Sequence, residues 1–282
     1  MAGLSQLPER GVIEIAGEDR VPFLQGLVSN DVTLVAPSVA VWAALLTPQG
    51  RWLADFFILT DGERLLLDCV RAEAPGLAAR LSRFRLRSRV SVRDVSHELA
   101  VHVAWGGAPD LPAGVIAAPD PRLPDAGWRI LAARPLPVTA DPAAWDAHRL
   151  ALGLPDAADL EAEKTLLLEA GFDELNGISW SKGCYMGQEL TARTKYRGLI
   201  KRRLVPVAID GRLPSPGAPI HRGEEAVGTM RSGRGTAGLA TLRLDALDAP
   251  FLTCEAARLT PRERPGALPL DPAIWRGVER GG

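Results

Sequence analysis

The chain has 282 residues, of which 46% are apolar, and its formal net charge at pH 7 is −1. This length and composition indicate a globular protein of two or three units and exclude a disordered tail. The near-neutral charge gives no ground to expect DNA or an anionic membrane as a partner. Three widely spaced cysteines fit neither a disulfide framework nor a Cys-x-x-Cys metal site, and no signal peptide or long apolar segment is evident. We therefore expect an unanchored, cytosolic protein.

The N-terminal part is predicted to contain a strand, a helix and an antiparallel meander. Residues 11–15 alternate apolar and polar side chains as a short strand does, and apolar residues from 21 to 28 recur at helical spacing. Turn residues then separate strands at 39–46, 52–59 and 64–70. The elements predicted next are a helix over 72–84, strands at 90–95 and 99–105, and an exposed loop over 106–127.

The C-terminal part combines helices with a small β-barrel. Asp141 as N-cap and Pro142 at the first helical position predict a helix over 142–152, and 160–170 is a second predicted helix. From Leu204 onward, short apolar runs alternate with Gly, Pro and Asp, which is typical of a barrel. The predicted barrel strands are 204–209, 226–230 and 238–244. Residues 233–238 match Gly-x-Gly-x-x-Gly, but between two strands this pattern predicts a hairpin rather than a dinucleotide site.

The strongest local feature is the segment Lys182-Gly183-Cys184-Tyr185-Met186-Gly187-Gln188-Glu189, which we call the thiol motif. Cys184 lies between two glycines, and an ammonium two residues away favours the thiolate, the form that attacks electrophiles and binds metals. The alternative is a small buried hydrophobic residue, which is the usual role of a lone free cysteine. The polar, glycine-rich surroundings favour function for Cys184, whereas the apolar neighbours of Cys69 and Cys254 favour core positions.

A run of basic residues follows the thiol motif, with six positive charges in eleven residues and no acid between them. This basic run consists of Arg193, Lys195, Arg197, Lys201, Arg202 and Arg203. It predicts an anion site for a carboxylate-rich cofactor tail, an RNA backbone or an acidic partner protein. A solvated basic face is the plain alternative.

Amide and carboxylate groups near the thiol motif suit a heterocycle that displays adjacent donors and acceptors. Gln188, Glu189 and Glu169 are the nearest of these groups in the sequence. Asn30-Asp31 and the segment 50–55 either line the same cavity or serve as cap and turn residues.

The thiol motif resembles the KGCYxGQE signature of the YgfZ family, and the resemblance covers nearly the whole chain. It extends through Phe23-Leu24-Gln25-Gly26 with Ser29-Asn30-Asp31, Pro48-Gln49-Gly50-Arg51, and Gly238-Leu239-Ala240-Thr241-Leu242-Arg243. The resemblance implies an α+β fold like that of the glycine-cleavage aminomethyltransferase (GcvT), with three small domains in a ring around a central folate cavity and a C-terminal β-barrel. It implies a folate-binding region of two interleaved subdomains over 1–203 and a barrel domain over 204–282.

The resemblance also implies tetrahydrofolate binding and a role in assembling or repairing iron–sulfur clusters, and through [4Fe–4S] enzymes in tRNA thiolation. Cys184 then corresponds to the cysteine on which activity depends most, with Lys182 as its neighbour. The folate contacts predicted from the resemblance and from suitable chemistry are Asn30, Asp31, Gln49, Gly50, Asp55, Glu169, Tyr185, Gln188, Glu189, Arg193 and Arg197.

Two departures weaken the transferase interpretation. The related aminomethyltransferases usually have an Asp pair where this chain has Ala54-Asp55, and an Asp where it has Cys184. A carboxylate near the folate can orient the attacking amine or stabilise charge, so losing one of the pair removes a catalytic contact. Asp55 remains a candidate to hold the pterin.

The leading hypothesis is an assembly factor rather than an enzyme in the usual sense. The cavity binds a reduced folate, while Cys184 ligates or reduces an iron–sulfur intermediate together with a carrier or client protein. Because clusters are usually held by four protein ligands, a partner must supply those that Cys184 cannot. One alternative is a folate-dependent one-carbon transferase. Another, less favoured, is an RNA-binding or scaffold protein that uses the basic run.

Overall fold

A computed structural model of the protein describes residues 3–267. Its contacts divide the chain into two compact units. Unit 1 runs to Pro48 and takes in Leu53–Trp145 and Asn176–Gln188, whereas unit 2 takes in Gln49–Trp52, Asp146–Leu175 and the chain from Glu189 onward. The chain therefore leaves unit 1 and returns to it for one short segment, which carries most of the thiol motif.

Unit 1 contains two antiparallel sheets and two helices. The five-stranded sheet has the order β3-β4-β5-β2-β6, and the four-stranded sheet has the order β1-β7-β9-β8. The strands are β1 (Gly3–Gln6), β2 (Arg10–Ala16), β3 (Val41–Leu46), β4 (Trp52–Thr60), β5 (Arg64–Val70), β6 (Ser91–Asp94), β7 (Ala100–Trp105), β8 (Ile116–Pro119) and β9 (Trp128–Ala132). The helices are α1 (Arg20–Gln25) and α2 (Ala74–Arg83), and a third helix, α3 (Pro142–Ala151), begins near the end of this part of the chain.

The core of unit 1 forms where the helices cover one face of the five-stranded sheet. Ile13 of β2 lies opposite Leu67 of β5, and both side chains are fully buried. Leu24 of α1 and Leu81 of α2 belong to the same buried cluster. Burying a side chain of this size contributes about 1.5–3 kcal/mol, so this packing fixes α1 although six residues alone would not hold a helix in water.

A buried network of ion pairs accompanies this core. Asp68 of β5 accepts from Arg10 at 2.6 Å and from Arg129 of β9 at 3.3 Å. Asp120 accepts from Arg129 at 3.2 Å and from Arg122 at 2.8 Å. Because each of these five side chains is at most 5% exposed, removing any one would leave an uncompensated charge in the interior.

Unit 2 contains the helix α4 (Gln188–Arg197) from its second residue onward and a closed barrel of six strands in the order β10-β13-β12-β11-β14-β15. The barrel strands are β10 (Arg202–Asp210), β11 (Pro219–Arg222), β12 (Glu225–Arg234), β13 (Ala237–Arg243), β14 (Leu252–Cys254) and β15 (Ala257–Pro261). The predicted barrel is thus confirmed. The Gly-x-Gly-x-x-Gly segment is the β12–β13 hairpin, whose Gly235 has a φ of +57°, so the hairpin prediction is also confirmed.

The helix predicted over 160–170 is wrong. The segment forms turns, and several of its carbonyls accept hydrogen bonds from outside it. Trp52 N donates to Thr165 O at 2.9 Å, and Leu204 N donates to Glu169 O at 2.7 Å. In a helix over 160–170 the Thr165 carbonyl would accept from the N–H of residue 169, so its bond to Trp52 shows a tertiary hydrogen bond overriding the local periodicity.

Two further elements differ from the sequence-based expectation. Residues 106–127, predicted to be an exposed loop, contain β8 and the buried ion pair of Asp120 with Arg122, because the charges pair inside the unit. Helix α4 was not predicted at all, since its polar sequence has no apolar stripe to indicate a helix. The other predicted helices and strands are present, with ends shifted by a few residues.

Some expectations lie beyond what the structure decides. The predicted domain boundary at residues 203 and 204 stays a prediction. The last fifteen residues of the predicted barrel domain, 268–282, lie outside the described residues. Within residues 3–267, no helix combines the length and apolar character needed to span a bilayer.

Candidate functional site

The thiol loop, which we define as residues 179–187, presents one cysteine to solvent. Cys184 is exposed, whereas Cys69 and Cys254 are buried, so Cys184 is the exposed thiol of the described chain. Gly183 and Gly187 have φ values of +96° and +80°, a backbone conformation that other residues rarely adopt. The two glycines therefore shape the turn on either side of the cysteine, and the core positions predicted for the other two cysteines are confirmed.

Lys182 anchors this loop through its ammonium group. Its Nζ donates to the carbonyls of Gln25 at 2.7 Å, Val28 at 2.7 Å and Asn30 at 2.6 Å. An ammonium has three N–H donors, and all three are used. A hydrogen bond from Nζ to Cys184 would require one of these to be given up, so the observed contacts make Lys182 an anchor of the loop.

Burial affects the charge of this ammonium. It lowers the pKa of Lys182 to about 8, while the nearby carboxylate of Asp31 acts in the opposite direction. The Tyr185 ring lies 5.3 Å from Nζ, within the range of a cation–π contact. The lysine thus remains largely protonated at neutral pH and offers a compact cation to the three carbonyls.

Backbone contacts fasten the rest of the loop to the same stretch of unit 1. Ser179 N donates to Ser29 O at 3.0 Å, and Met186 N donates to Gly26 O at 3.1 Å. The Ser29 hydroxyl donates to Gly177 O at 2.6 Å, and the Met186 side chain packs against the core of unit 1. Cys184 therefore projects from a loop that is held on both sides.

Asn30 and Asp31 lie beside this anchor, but their side chains bond within the protein. The Asn30 amide donates to the carbonyls of Trp42 at 2.8 Å and Asn176 at 2.6 Å. Asp31 Oδ1 accepts from Thr33 N at 3.0 Å, Thr33 Oγ1 at 2.6 Å and Gln25 Nε2 at 2.8 Å. The hydrogen bond from the Thr33 hydroxyl is the main cause that lowers the pKa of Asp31. Both residues thus serve as structural contacts, and the role predicted for them in folate binding stays a prediction.

Two further predicted residues belong to unit 1: Asp55 lies on β4, and Tyr185 lies in the thiol loop. Asp55, on β4, is 7% exposed and its Oδ2 accepts from Trp42 Nε1 at 2.9 Å. Tyr185 is buried, and its N–H donates to the Gln188 side-chain oxygen at 3.1 Å, which fixes the first residue of α4. Asp55 therefore presents a buried carboxylate beside an aromatic ring.

The other predicted residues belong to unit 2. Gln49 is exposed and Gly50 has a φ of +79°, as expected of a turn. Glu169 pairs with Arg202 at 3.3 Å. Glu189 and Arg193 pair with each other at 2.6 Å along α4, and both are exposed.

The structure divides the basic run. Arg203, predicted to belong to the anion site, is 2% exposed and pairs with Asp173 at 2.9 Å and Glu174 at 3.3 Å, so that part of the prediction is wrong. The reason is the alternation along β10, which turns successive side chains to opposite faces. Arg197 and Lys201 instead line a cavity of about 520 Å³ with Leu199, Ile200, Leu244 and the acidic Asp245. Two cations against one carboxylate leave a net positive charge beside the apolar side chains, which suits an anionic group with an apolar body.

The backbone carbonyls that receive Lys182 could not be predicted from the sequence. Backbone acceptors have no sequence signature, so nothing in the chain marked Gln25 and Val28 as partners of the thiol motif. Among residues 3–267, no group of three His, Cys, Asp or Glu side chains lies close enough together to hold a metal ion.

Comparison with known proteins gives a family match, several relatives and solved structures of similar fold. Residues 201–269 match the model of the CAF17 C-terminal beta-barrel domain. The mitochondrial iron–sulfur cluster assembly factor IBA57 homolog of Mycosarcoma maydis is 38% identical over 241 residues, or 77% of this chain and 60% of that protein. Mitochondrial IBA57 of Mus musculus is 34% identical, and that of Homo sapiens 32%, each over 87% of this chain and 79% of the relative.

One structural match is the glycine cleavage system aminomethyltransferase T of Bartonella henselae. It has a TM-score of 0.75 and 15% identity, and the alignment covers 94% of this chain and 86% of that one. The predicted α+β fold of the aminomethyltransferase type is therefore confirmed.

The names of the relatives correct one expectation. The prediction of a cytosolic location is wrong, because these relatives are named as mitochondrial proteins. Free cysteines indicate a reducing environment, but they do not distinguish the cytosol from another reducing compartment. Membership of the YgfZ family itself, folate binding and a link to tRNA modification stay predictions.

Proposed function

Because the chain belongs to the family of IBA57 iron–sulfur cluster assembly factors, we propose that it passes clusters to client enzymes through Cys184. The observation that carries this proposal is the thiol loop, which presents an exposed cysteine on an anchored backbone. A thiolate in this position can bind iron without a change in the surrounding core. The cluster is the cargo of the protein and leaves it with the client.

The partner supplies the other cluster ligands. Within residues 3–267 the remaining cysteines are buried, so Cys184 is the thiol that this part of the chain offers to iron. Transfer then proceeds by ligand exchange: the Cys184 thiolate bonds to iron as a carrier thiolate leaves it and takes up a proton. No electron moves in this step. Further exchanges, in which client thiolates displace Cys184 and the remaining carrier thiolates, each of which takes up a proton, complete the transfer to a client such as a [4Fe–4S] enzyme of tRNA thiolation.

We propose a reduced folate, tetrahydrofolate or a related form, as the ligand of the fold. Asp55 offers a buried carboxylate next to Trp42, which suits the N–H groups and the flat ring of a pterin. A bound folate supplies one-carbon or reducing chemistry. Asn30 and Asp31 fit less well, since a folate contact would cost them hydrogen bonds that hold the loop.

Cluster transfer from a loaded carrier to an apo [4Fe–4S] enzyme tests the proposal. We expect Cys184→Ala to abolish the acceleration that the wild type gives, while Ser181→Ala, an exposed position on the same loop, transfers like the wild type. Both are measured with and without tetrahydrofolate, and folate binding is followed separately in Asp55→Asn. If Cys184→Ala transfers normally, the thiol mechanism fails, and turnover of methylene-tetrahydrofolate becomes the reaction to measure.

A further inference from the structure

A second basic surface lies in unit 1, on residues 80–89, which run from the end of α2 to the start of β6. We call it the arginine loop. It has five arginines and no acidic residue in ten positions, and all five arginines are exposed: Arg80, Arg83, Arg85, Arg87 and Arg89. Of these five arginines, only Arg89 forms ion pairs within residues 3–267. Its partners are Glu18 at 2.6 Å and Asp19 at 3.6 Å. Four guanidinium groups therefore face solvent with their charge uncompensated.

The arginine loop also exposes apolar side chains. Leu86 is 92% exposed and has a φ of +40°, in the left-handed region that leucine rarely adopts. Phe84 is 37% exposed. A shallow depression beside them is lined by Asp19, Leu86, Arg87 and Ser88. A leucine side chain in a strained backbone conformation and exposed to water contributes no packing energy to the fold. Such outliers occur where a surface has a binding role.

The arginine loop and the thiol loop are attached to the two ends of one short helix. At the start of α1, the Asp19 carboxylate accepts from Arg89 N at 2.7 Å. At the end of α1, the carbonyls of Gln25 and Gly26 accept from Lys182 and Met186. The six residues of α1 span about 9 Å at 1.5 Å per residue. Both attachments thus lie within the ~800 Å² that one protein partner typically covers.

We propose that the arginine loop docks the acidic protein that shares a cluster with Cys184, with Leu86 inserted into an apolar pocket bordered by carboxylates. This inference rests on the proposed function, since that function requires a partner to supply cluster ligands. Arginine forks bind carboxylates in bidentate pairs, and arginine is enriched in protein interfaces. RNA fits less well because its bases stack on aromatic faces, and the most exposed apolar residue here is aliphatic. A lipid surface fits less well because a basic patch needs an acyl chain beside it for stable attachment, and the exposed apolar side chains here bury far fewer carbons than such a chain.

Affinity for an acidic, cluster-loaded carrier protein tests the docking surface. We expect Arg87→Glu to weaken binding about tenfold at low salt. The matched control is Arg134→Glu, an exposed arginine of unit 1 after β9, which changes the net charge by the same amount. We expect the control to bind like the wild type, and the advantage of the wild type over Arg87→Glu to shrink as salt is added.

Leu86→Gly separates binding from folding. Glycine adopts a positive φ without strain, so this variant should melt at the wild-type temperature or above it while binding the carrier about tenfold more weakly. Val138→Ala, which shortens another half-exposed apolar side chain of unit 1, should change neither quantity. A Leu86→Gly protein with wild-type affinity would overturn the role of Leu86.

The remaining outcomes separate this inference from the proposed function. If the arginine-loop variants bind and transfer normally while Cys184→Ala loses transfer, the docking surface is wrong and the proposed function stands. If Cys184→Ala transfers normally but Arg87→Glu and Leu86→Gly lose affinity, the thiol mechanism is wrong and the docking surface stands. Binding of phosphatidylserine vesicles or a uridine homopolymer that is lost in Arg87→Glu, with no affinity for the acidic carrier, would overturn the choice of a protein partner.

Discussion

Replacing Lys182 by methionine tests how the thiol loop is anchored. The change removes three hydrogen bonds from a charged donor, each worth about 1.5–3 kcal/mol, or roughly 4.5–9 kcal/mol in all. It also removes the cost of burying the ammonium. The fall of the Lys182 pKa from 10.5 to about 8 corresponds to a cost of about 3.4 kcal/mol. We therefore expect the free energy of unfolding to drop by about 3 kcal/mol, within a range of roughly 1–6.

The measurement is urea denaturation of the full chain, together with amide hydrogen exchange at Ser179 and Met186, whose N–H groups bond to the anchoring stretch. The matched control is Lys164→Met, because Lys164 is 73% exposed and pairs only with a surface carboxylate, a contact worth less than about 1 kcal/mol. Lys182→Arg adds a test of shape. A planar guanidinium keeps the charge but cannot reach three converging carbonyls as an ammonium does, so it should not restore stability.

Stability equal to that of Lys164→Met, with unchanged protection of the two amides, would refute the anchoring role of Lys182. Full recovery in Lys182→Arg would show that charge alone matters at this position and that the three-carbonyl geometry does not.

Three further outcomes follow from burial and charge. Iodoacetamide at pH 8 should label Cys184 in the native protein and leave the buried thiols intact, since burial raises the pKa of Cys69 to about 12; mass spectrometry that finds Cys69 labelled as fast would contradict this. Arg203→Met should lower the free energy of unfolding by about 3–5 kcal/mol, because it leaves the largely buried Asp173 carboxylate without its ion pair. Arg202→Met, at a half-exposed position, should cost less than about 1 kcal/mol, and equal losses in urea would count against the buried pair. The folded-state pKa of Lys182 lies below its ordinary value, so between about pH 8 and 10.5 the unfolded chain binds the extra proton. The wild type should therefore gain stability relative to Lys182→Met as the pH rises through this range. Denaturation curves in which the stability advantage of the wild type falls with pH would contradict the burial of this group.

The sequence predicted most elements whose pattern is decided locally. Strands such as β5 and the helix beginning at Pro142 carry their own periodicity and capping residues, and both are present. The segment 160–170 has comparable local periodicity, but its carbonyls bond to residues far away in the chain, and no window of sequence reveals such partners. Helix α4 is the opposite case, a helix whose polar sequence carries no apolar stripe.

The candidate site was predictable in its chemistry but not in its geometry. Residue type and surroundings indicated that Cys184 would be exposed, and it is. The influence of Lys182 on the ionisation of Cys184 stays a prediction. Nothing in the sequence indicated that the three Lys182 donors reach backbone carbonyls, an arrangement that satisfies every N–H of a buried ammonium. The resemblance predicted Asn30 and Asp31 as folate contacts, and only the folded structure reveals that their side chains form hydrogen bonds within the protein.

The late return of the chain to unit 1 has a consequence during synthesis. Lys182 lies 157 residues beyond Gln25, so a ribosome adding about 5–20 residues per second needs roughly 8 to 30 seconds to supply the anchor after its acceptor has been made. Throughout that interval the carbonyls that will accept from Lys182 have only water to take the place of its ammonium group. The cysteine emerges two residues after the lysine, so the reactive thiol and the group that fixes its position reach the growing protein together.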